Sequence, residues 1–214
     1  MPLIFNKNID FNKTRLVVWE NTESNDFFIN KLNLTPKEQE VVNSYREHRQ
    51  REWYCSRFLI KSLTEKTGCT IVKDAYGKPI LENSSCHISL SHSQNRVAAI
   101  ISDKSVGIDI QKEEDKISRI HRKFVSEQEI EHLDQEHLDA CYHVFWGAKE
   151  SMYKAWGKKE LEFKEHMHLY PFKYFRKDLE LKGWVRKGEI EQDYNIYTDL
   201  IDNFYLVYAL KIKD

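Results

Sequence analysis

The chain has 214 residues, with 33 Lys and Arg against 34 Asp and Glu and a formal net charge of −1. That balance excludes nucleic-acid binding by bulk positive charge, so any anion recognition must come from local clusters of Lys and Arg. The length suits one large domain or two small lobes, and 41% hydrophobic and 13% aromatic residues can fill a substantial core. No apolar run approaches the roughly 18 residues that a membrane span needs. The four cysteines, Cys55, Cys69, Cys86 and Cys141, form no C-x-x-C pair. The opening Met-Pro-Leu-Ile shows no charged and apolar leader, so no secretion signal is expected. A cytoplasmic protein with free thiols, no membrane segment and no nucleic-acid partner is the expectation.

In chain order, RLVVWE (15–20) reads as the strand that opens the fold. Thr35-Pro36 reads as an N-cap followed by proline at the first helical position. A helical pattern, one helix or two, then runs toward Gly68 as a C-terminal cap. TIVKDAYGKPIL (70–81) is a strand, a turn at Tyr76-Gly77-Lys78-Pro79, and more extended chain. Ser91-His92-Ser93 reads as a polar turn anchored by the apolar strand after Arg96. KSVGIDIQK (104–112) alternates like a strand.

Ser126 with Glu129 is a capping-box signal ahead of a helix. A longer helix should run from about Leu138 to Trp156 and stop at Gly157. The tail holds three strand candidates, LELKGWVRKGEI, YNIYTDL and NFYLVYALKI. A shift of 89 residues lays Glu38-Gln39-Glu40 on Glu127-Gln128-Glu129 and Gly68 on Gly157. Each copy is a pair of helices followed by hairpins. The expected fold is therefore α+β, a pseudo-dimer of two similar lobes, 1–103 and 104–214, with the active site in the cleft between them.

Three stretches carry chemistry. In FWGAKESMYKAWG (145–157), at about 100° per residue, Trp146, Lys149, Glu150, Tyr153 and Gly157 share one face, with Lys154 at its edge. Phe145, Ala148, Met152, Ala155 and Trp156 form the opposite, core-facing stripe. Glu150 between two ammonium groups is either a solvated helical ion pair or part of an anion and metal site. In VGIDIQ (106–111), Gly107, Asp109 and Gln111 leave one side of the strand and Val106, Ile108 and Ile110 the other. Asp109 and Gln111 are either edge-strand groups in water or two oxygen donors for a hard cation such as Mg²⁺. Ser91-His92-Ser93 is either a plain polar loop or a set of phosphate donors. Two histidine groups fit no known zinc spacing: His166-Met167-His168 reads as surface loop, and His132, His137 and His143 as ordinary histidines. Trp53, Tyr54, Phe58 and Leu59 read as core.

Together, VGIDIQ, WGAKESMYK, Ser91-His92-Ser93, Tyr76–Pro79 and Phe124–Glu129 resemble the surfactin-synthetase type 4′-phosphopantetheinyl transferases. That family has G-x-D-x-E, W-x-x-K-E-[AS]-x-x-K, S-H-[ST], Y-G-K-P and F-[FV]-S-x-x-E in this order, and the matches here span residues 76–154. The resemblance implies a Mg²⁺-dependent enzyme that moves the 4′-phosphopantetheine arm of coenzyme A to a serine of an acyl or peptidyl carrier protein. Adenosine 3′,5′-bisphosphate is the other product, and a monomer is expected. It implies Asp109 and Glu150 as metal ligands, with Gln111 either a weaker ligand or replaced by a water, and Lys154 supporting the leaving group; the charges make Glu150 the best-placed base, directly or through water. Lys149, Lys154, Lys78, Ser91 and His92 would contact phosphates, and the Gly77 region would line the adenine. Arg51 or Arg57 would reach the 3′-phosphate. Gln111 departs from the pattern, which has an acid there. Two rival readings are a non-catalytic carrier-protein or coenzyme A binding module, which the neutral Gln111 favours, and another Mg²⁺-dependent phosphoesterase.

Overall fold

The computed structural model describes residues 2–11, 13–64 and 70–212. The expected cap at Gly68 and the thiol of Cys69 lie outside them. The fold is α+β, built on two antiparallel sheets. The first half runs β1 (Leu3–Ile9), β2 (Thr14–Glu20), α1 (Asn25–Ile29), α2 (Pro36–Asn43), α3 (Glu47–Leu63), β3 (Ile71–Lys73), β4 (Pro79–Leu81), β5 (His87–Ser93) and β6 (Arg96–Ser102). The second runs β7 (Val106–Lys112), α4 (Lys116–Ile120), α5 (Glu127–Ile130), α6 (Leu138–Trp156), α7 (Phe163–His166), β8 (Met167–Leu169), β9 (Leu179–Lys187), β10 (Ile190–Ile201) and β11 (Phe204–Lys211). RLVVWE is therefore not the opening strand: β1 precedes it as an edge strand whose half-exposed residues blur the alternation.

The first sheet has the order β1-β2-β6-β5 and the second β7-β11-β10-β9-β8; β3 and β4 form a separate hairpin. Helix α3 lies on the first sheet and buries Trp53, Tyr54, Leu59 and Ile60 with Phe28 and Val42. Helix α6 lies on the second, against β7 and β11. A third apolar cluster unites both sheets: Leu16, Val18, Ala98 and Ile100 meet Val106, Ile108, Ile110, Leu206 and Tyr208. This is why β6 is buried along its whole length. No helix among the described residues is long and apolar enough to cross a membrane.

Local signals explain the helix ends. Thr35 and Ser126 each accept from the backbone N–H of the glutamate three residues on, and each glutamate reaches back, so both capping boxes form. Gly157 closes α6 with φ +74°, where only glycine avoids strain. Ser91-His92-Ser93 is not a turn: it ends β5, and the reversal falls one residue later, at Gln94 (φ 51°). His166-Met167-His168 is likewise no surface loop, since Met167 and His168 begin β8 and Met167 is buried.

The two sheets meet along a polar seam. Strand β7 is an edge strand, and its outward N–H groups need partners. Ser89, Ser91 and Ser93, alternate residues of β5, supply them: Ile108 donates to Ser89 Oγ (3.1 Å), Ile110 to Ser91 Oγ (3.1 Å) and Lys112 to Ser93 Oγ (3.2 Å). The serines of HISLSHS thus join two sheets that share no backbone ladder.

Candidate active site

The seam positions the polar cluster. On β7, Val106, Ile108 and Ile110 enter the inter-sheet core, and Gly107, Asp109 and Gln111 face α6, as the alternation requires. Gly107 makes this possible. A Cβ there would stand 1.9 Å from the Ser151 carbonyl oxygen and 2.7 Å from the Ala155 nitrogen, so only glycine lets strand and helix backbones come this close.

Lys154, on the last turn of α6, fills the gap. Its ammonium donates to Asp109 Oδ1 (2.8 Å), the Ile108 carbonyl (2.9 Å) and Ser91 Oγ (3.1 Å). Ser91 in turn donates to Asp109 Oδ1 (3.0 Å). Asp109 is only 6% exposed, yet its Oδ2 has no partner among the described residues. Glu150 stands one helical turn before Lys154. Burial pushes its carboxyl above the usual range; Lys154 pulls it down, and the charge of Asp109 adds to the rise. Two carboxylates with one cation, one of them holding a buried oxygen without a partner, fit a hard divalent cation.

Gln111 is placed differently from the two acids. Its amide nitrogen donates to the His143 carbonyl (2.8 Å), one helical turn from Gly147. Only Oε1 is left for a ligand role.

Beside this cluster opens a cavity of about 270 Å³ lined by the Tyr76–Pro79 turn, Ile88–Leu90, Tyr153, Lys154 and Gly157–Lys159. The turn is fixed by Asp74, whose Oδ1 accepts from the backbone N–H of Tyr76 and of Lys78 (both 2.9 Å), with Gly77 at φ +87°. Lys78 donates to the Ala155 carbonyl (2.9 Å) at the C-terminal end of α6, where the helix dipole favours a cation. Gly157 leaves it room: a Cβ there would meet Lys78 Cδ at 2.6 Å. Burial pushes the Lys78 ammonium down to about 8, against a smaller upward pull from Asp74. Lys78, Lys154, Lys158 and Lys159 line this cavity with ammonium groups, a charge that suits an anion.

His92 lies beyond the cavity, on the α3 side. Its Nδ1 is 3.2 Å from Glu52 Oε1 and its Nε2 is 2.5 Å from Arg49 Nη1. Arg51 and Arg57 are not brought there. Arg51 pairs with Glu47 (3.6 Å) one turn back on α3; the Arg57 guanidinium stacks on Trp53, 3.8 Å from the ring centroid. Helix phase, which local sequence leaves open here, puts Arg49 and Glu52 in that place instead. No short-range signal marks them, since their partner His92 comes from a strand forty residues on.

Lys149 does not share the exposed face with Glu150. It is fully buried, donates to Glu129 Oε2 (2.8 Å) and to the Phe163 carbonyl (3.0 Å), and lies in the core of the second half. Burial pushes its ammonium down and Glu129 pulls it up. Glu129 also accepts from the N–H of Ser126 (2.8 Å) and Leu169 (2.9 Å). Helix α6 is buried nearly all round, so a two-face wheel misplaces this lysine. Among the described residues, no group of three or more His, Cys, Asp and Glu has the geometry of a metal site; Asp109 and Glu150 are two carboxylates, and Gln111 Oε1 is a neutral oxygen.

Residues 105–196 match the family model of the 4′-phosphopantetheinyl transferase superfamily. A 4′-phosphopantetheinyl transferase of Bacillus subtilis is 31% identical over 99 residues, 44% of this chain and 44% of that protein. The 4′-phosphopantetheinyl transferase Sfp of B. subtilis (strain 168) gives the same identity and coverage. The 4′-phosphopantetheinyl transferase gsp of Aneurinibacillus migulanus is 34% identical over 89 residues, 40% of this chain and 37% of that protein. The chain thus matches less than half the length of each relative. The matched stretch holds Asp109, Lys149, Glu150 and Lys154, and over it the chain is similar to the 4′-phosphopantetheinyl transferase superfamily.

Proposed function

We propose that the protein transfers the 4′-phosphopantetheine arm of coenzyme A to a serine of an acyl or peptidyl carrier protein, with Mg²⁺, and releases adenosine 3′,5′-bisphosphate. The observation that carries this reading is the buried Asp109 Oδ2, without a partner among the described residues, beside Glu150 at the edge of a lysine-lined cavity. Asp109 and Glu150 would hold the cation, with Gln111 Oε1 the remaining side-chain oxygen within the same strand–helix gap. When bound, Mg²⁺ supplies charge neutralisation on the diphosphate. The two halves, 1–103 and 104–214, are read as similar lobes of a monomer working in the cytoplasm, in fatty-acid, polyketide or nonribosomal peptide assembly.

The chain's own residues define the rest. Lys78 and Lys154, with Lys158 and Lys159 at the rim, attract the diphosphate and lower its repulsion of an incoming nucleophile. Lys154 also fixes Asp109, and Ser91 fixes both, so Ser91 acts chiefly as a strut. The acceptor serine oxygen forms a bond to the pantetheine phosphorus. The bond from that phosphorus to the bridging oxygen breaks, and the nucleotide leaves with that oxygen. Glu150, whose raised proton affinity suits a base, takes the serine proton directly or through water.

Incubation with apo carrier protein, coenzyme A and Mg²⁺ should add one phosphopantetheine mass to the carrier. Glu150→Gln should abolish the addition and melt at or above the wild-type temperature. A carboxyl raised by burial is a net cost at neutral pH, which the amide removes. Wild-type turnover in that variant would refute the role of Glu150. Coenzyme A binding without any mass shift in the wild type would favour a non-catalytic binding module.

A further inference from the structure

The face of β5 that carries Ile88 and Leu90 along the cavity continues to His92. There Arg49, Glu52 and His92 close a triangle: Arg49 Nη1 donates to Glu52 Oε2 (2.7 Å) and to His92 Nε2 (2.5 Å), and Glu52 Oε1 faces His92 Nδ1 (3.2 Å). A guanidinium can only donate, so Nε2 carries the lone pair. The proton then sits on Nδ1 and is given to Glu52. In this tautomer His92 is neutral, which agrees with the depression of its proton affinity by burial. One cation, one anion and one neutral ring sum to zero.

The two ends of the cleft therefore differ. The cavity end gathers four lysines around the helix C-terminus, and among the described residues only Lys154 of the four is paired with a carboxylate. At the α3 end, the arginine that could grip a phosphate is already held by Glu52, which is only 18% exposed and fixed by two contacts. A phosphate oxygen that reaches Arg49 or His92 there comes within range of a held carboxylate, and like charges at such distances repel.

We infer that Glu52 is a specificity-determining residue: it neutralises the α3 end of the cleft, so that phosphopantetheine donors with and without the 3′-phosphate are used with similar efficiency. This rests on reading the cleft as a coenzyme A site. The nucleotide 3′-phosphate is the only charged group of the donor beyond the diphosphate, and it is the group this neutral end would meet.

The test is calorimetric binding, with Mg²⁺, of coenzyme A and of 3′-dephospho-coenzyme A to the wild type, Glu52→Gln and Glu52→Asp, beside KM and kcat for both donors. In the wild type the two donors should bind within about threefold of each other, since no net charge faces the extra phosphate. In Glu52→Gln, coenzyme A should bind about tenfold tighter with dephospho-coenzyme A unchanged, the gain expected from freeing one charge pair. KM for coenzyme A should fall and kcat stay level. Glu52→Asp should keep the wild-type ratio. A wild-type preference for coenzyme A of a hundredfold or more, or an unchanged ratio in folded Glu52→Gln, overturns the inference while leaving the cleft a donor site. If neither donor binds the wild type, both this inference and the proposed function fail.

Discussion

Lys149 and Glu150 are neighbours in sequence with opposite fates. Glu150 faces the seam, while Lys149 points into the core and is held by a carboxylate with the same 0% side-chain exposure. Breaking such a pair from one side strands a charge, at a cost of about 3–5 kcal/mol. Lys149→Met should lower stability by that amount in chemical denaturation. Lys149→Met with Glu129→Gln should recover only part of it, because the single amide oxygen of glutamine can accept from one of the Ser126 and Leu169 amides, which bond to different carboxylate oxygens. Lys78 allows a pH prediction. Its ammonium is charged below about 8 and neutral above. The attraction it offers the diphosphate is therefore present below about 8 and lost as pH rises through it. For kcat/KM of coenzyme A, which reports the free enzyme, the wild type should decline through that window, and Lys78→Met should be lower and flat across it. The effect on folding runs the other way: burying the charged form costs stability in full below about 8, and that cost fades as pH rises from there to the ordinary lysine value of 10.5.

Helix α6 and strand β7 form the element pair on which the site depends. The helix ends where the sequence says it must, at Gly157, and the strand alternates as read, so Asp109 could be placed opposite Val106, Ile108 and Ile110 in advance, though the sequence does not say that α6 covers that side. The distance between them is set by Gly107. A methyl group there must push β7 off α6, because the atoms it meets are backbone and cannot rotate away. Gly107→Ala should cost about 1–3 kcal/mol or more, as overpacking does, and should weaken the Lys154–Asp109 contact. The check is a denaturation curve beside the transfer rate: a loss of rate much larger than the loss of folded population at the assay temperature locates the damage at the site. Strand β5 shows the limit of pattern reading. Its serines look like loop residues because polar side chains at alternate positions usually face water; here they face the unpaired edge of another sheet.

At the scale of the molecule, the seam does two jobs. It holds the sheets together through Ser89, Ser91 and Ser93, and it brings Asp109, Lys154 and the β5 face to one place. Ser89→Ala with Ser93→Ala removes two acceptors and leaves the N–H groups of Ile108 and Lys112 unpaired, at about 1–3 kcal/mol each where buried. The double variant should be less stable by about that sum and should raise KM for coenzyme A, because β5 lines the cavity. Thermal melts and donor titration check the two effects separately, and an unchanged melting curve would mean that the serines carry no part of the seam.

The sequence by itself determined the α+β class, the tail strands, the capping boxes at Thr35 and Ser126, the run and end of α6, the alternation of VGIDIQ, and the motif order that carries the family resemblance. These features follow from local backbone preference and from periodicity, both of which a short window contains. Tertiary structure decided which way Lys149 turns, that Arg49 rather than Arg51 or Arg57 meets His92, that the serines of β5 cap a foreign strand, and that Glu52 neutralises one end of the cleft. Each of these depends on a partner tens of residues away, and burial by that partner, rather than the residue's own type, fixes whether its charge faces water, core or ligand.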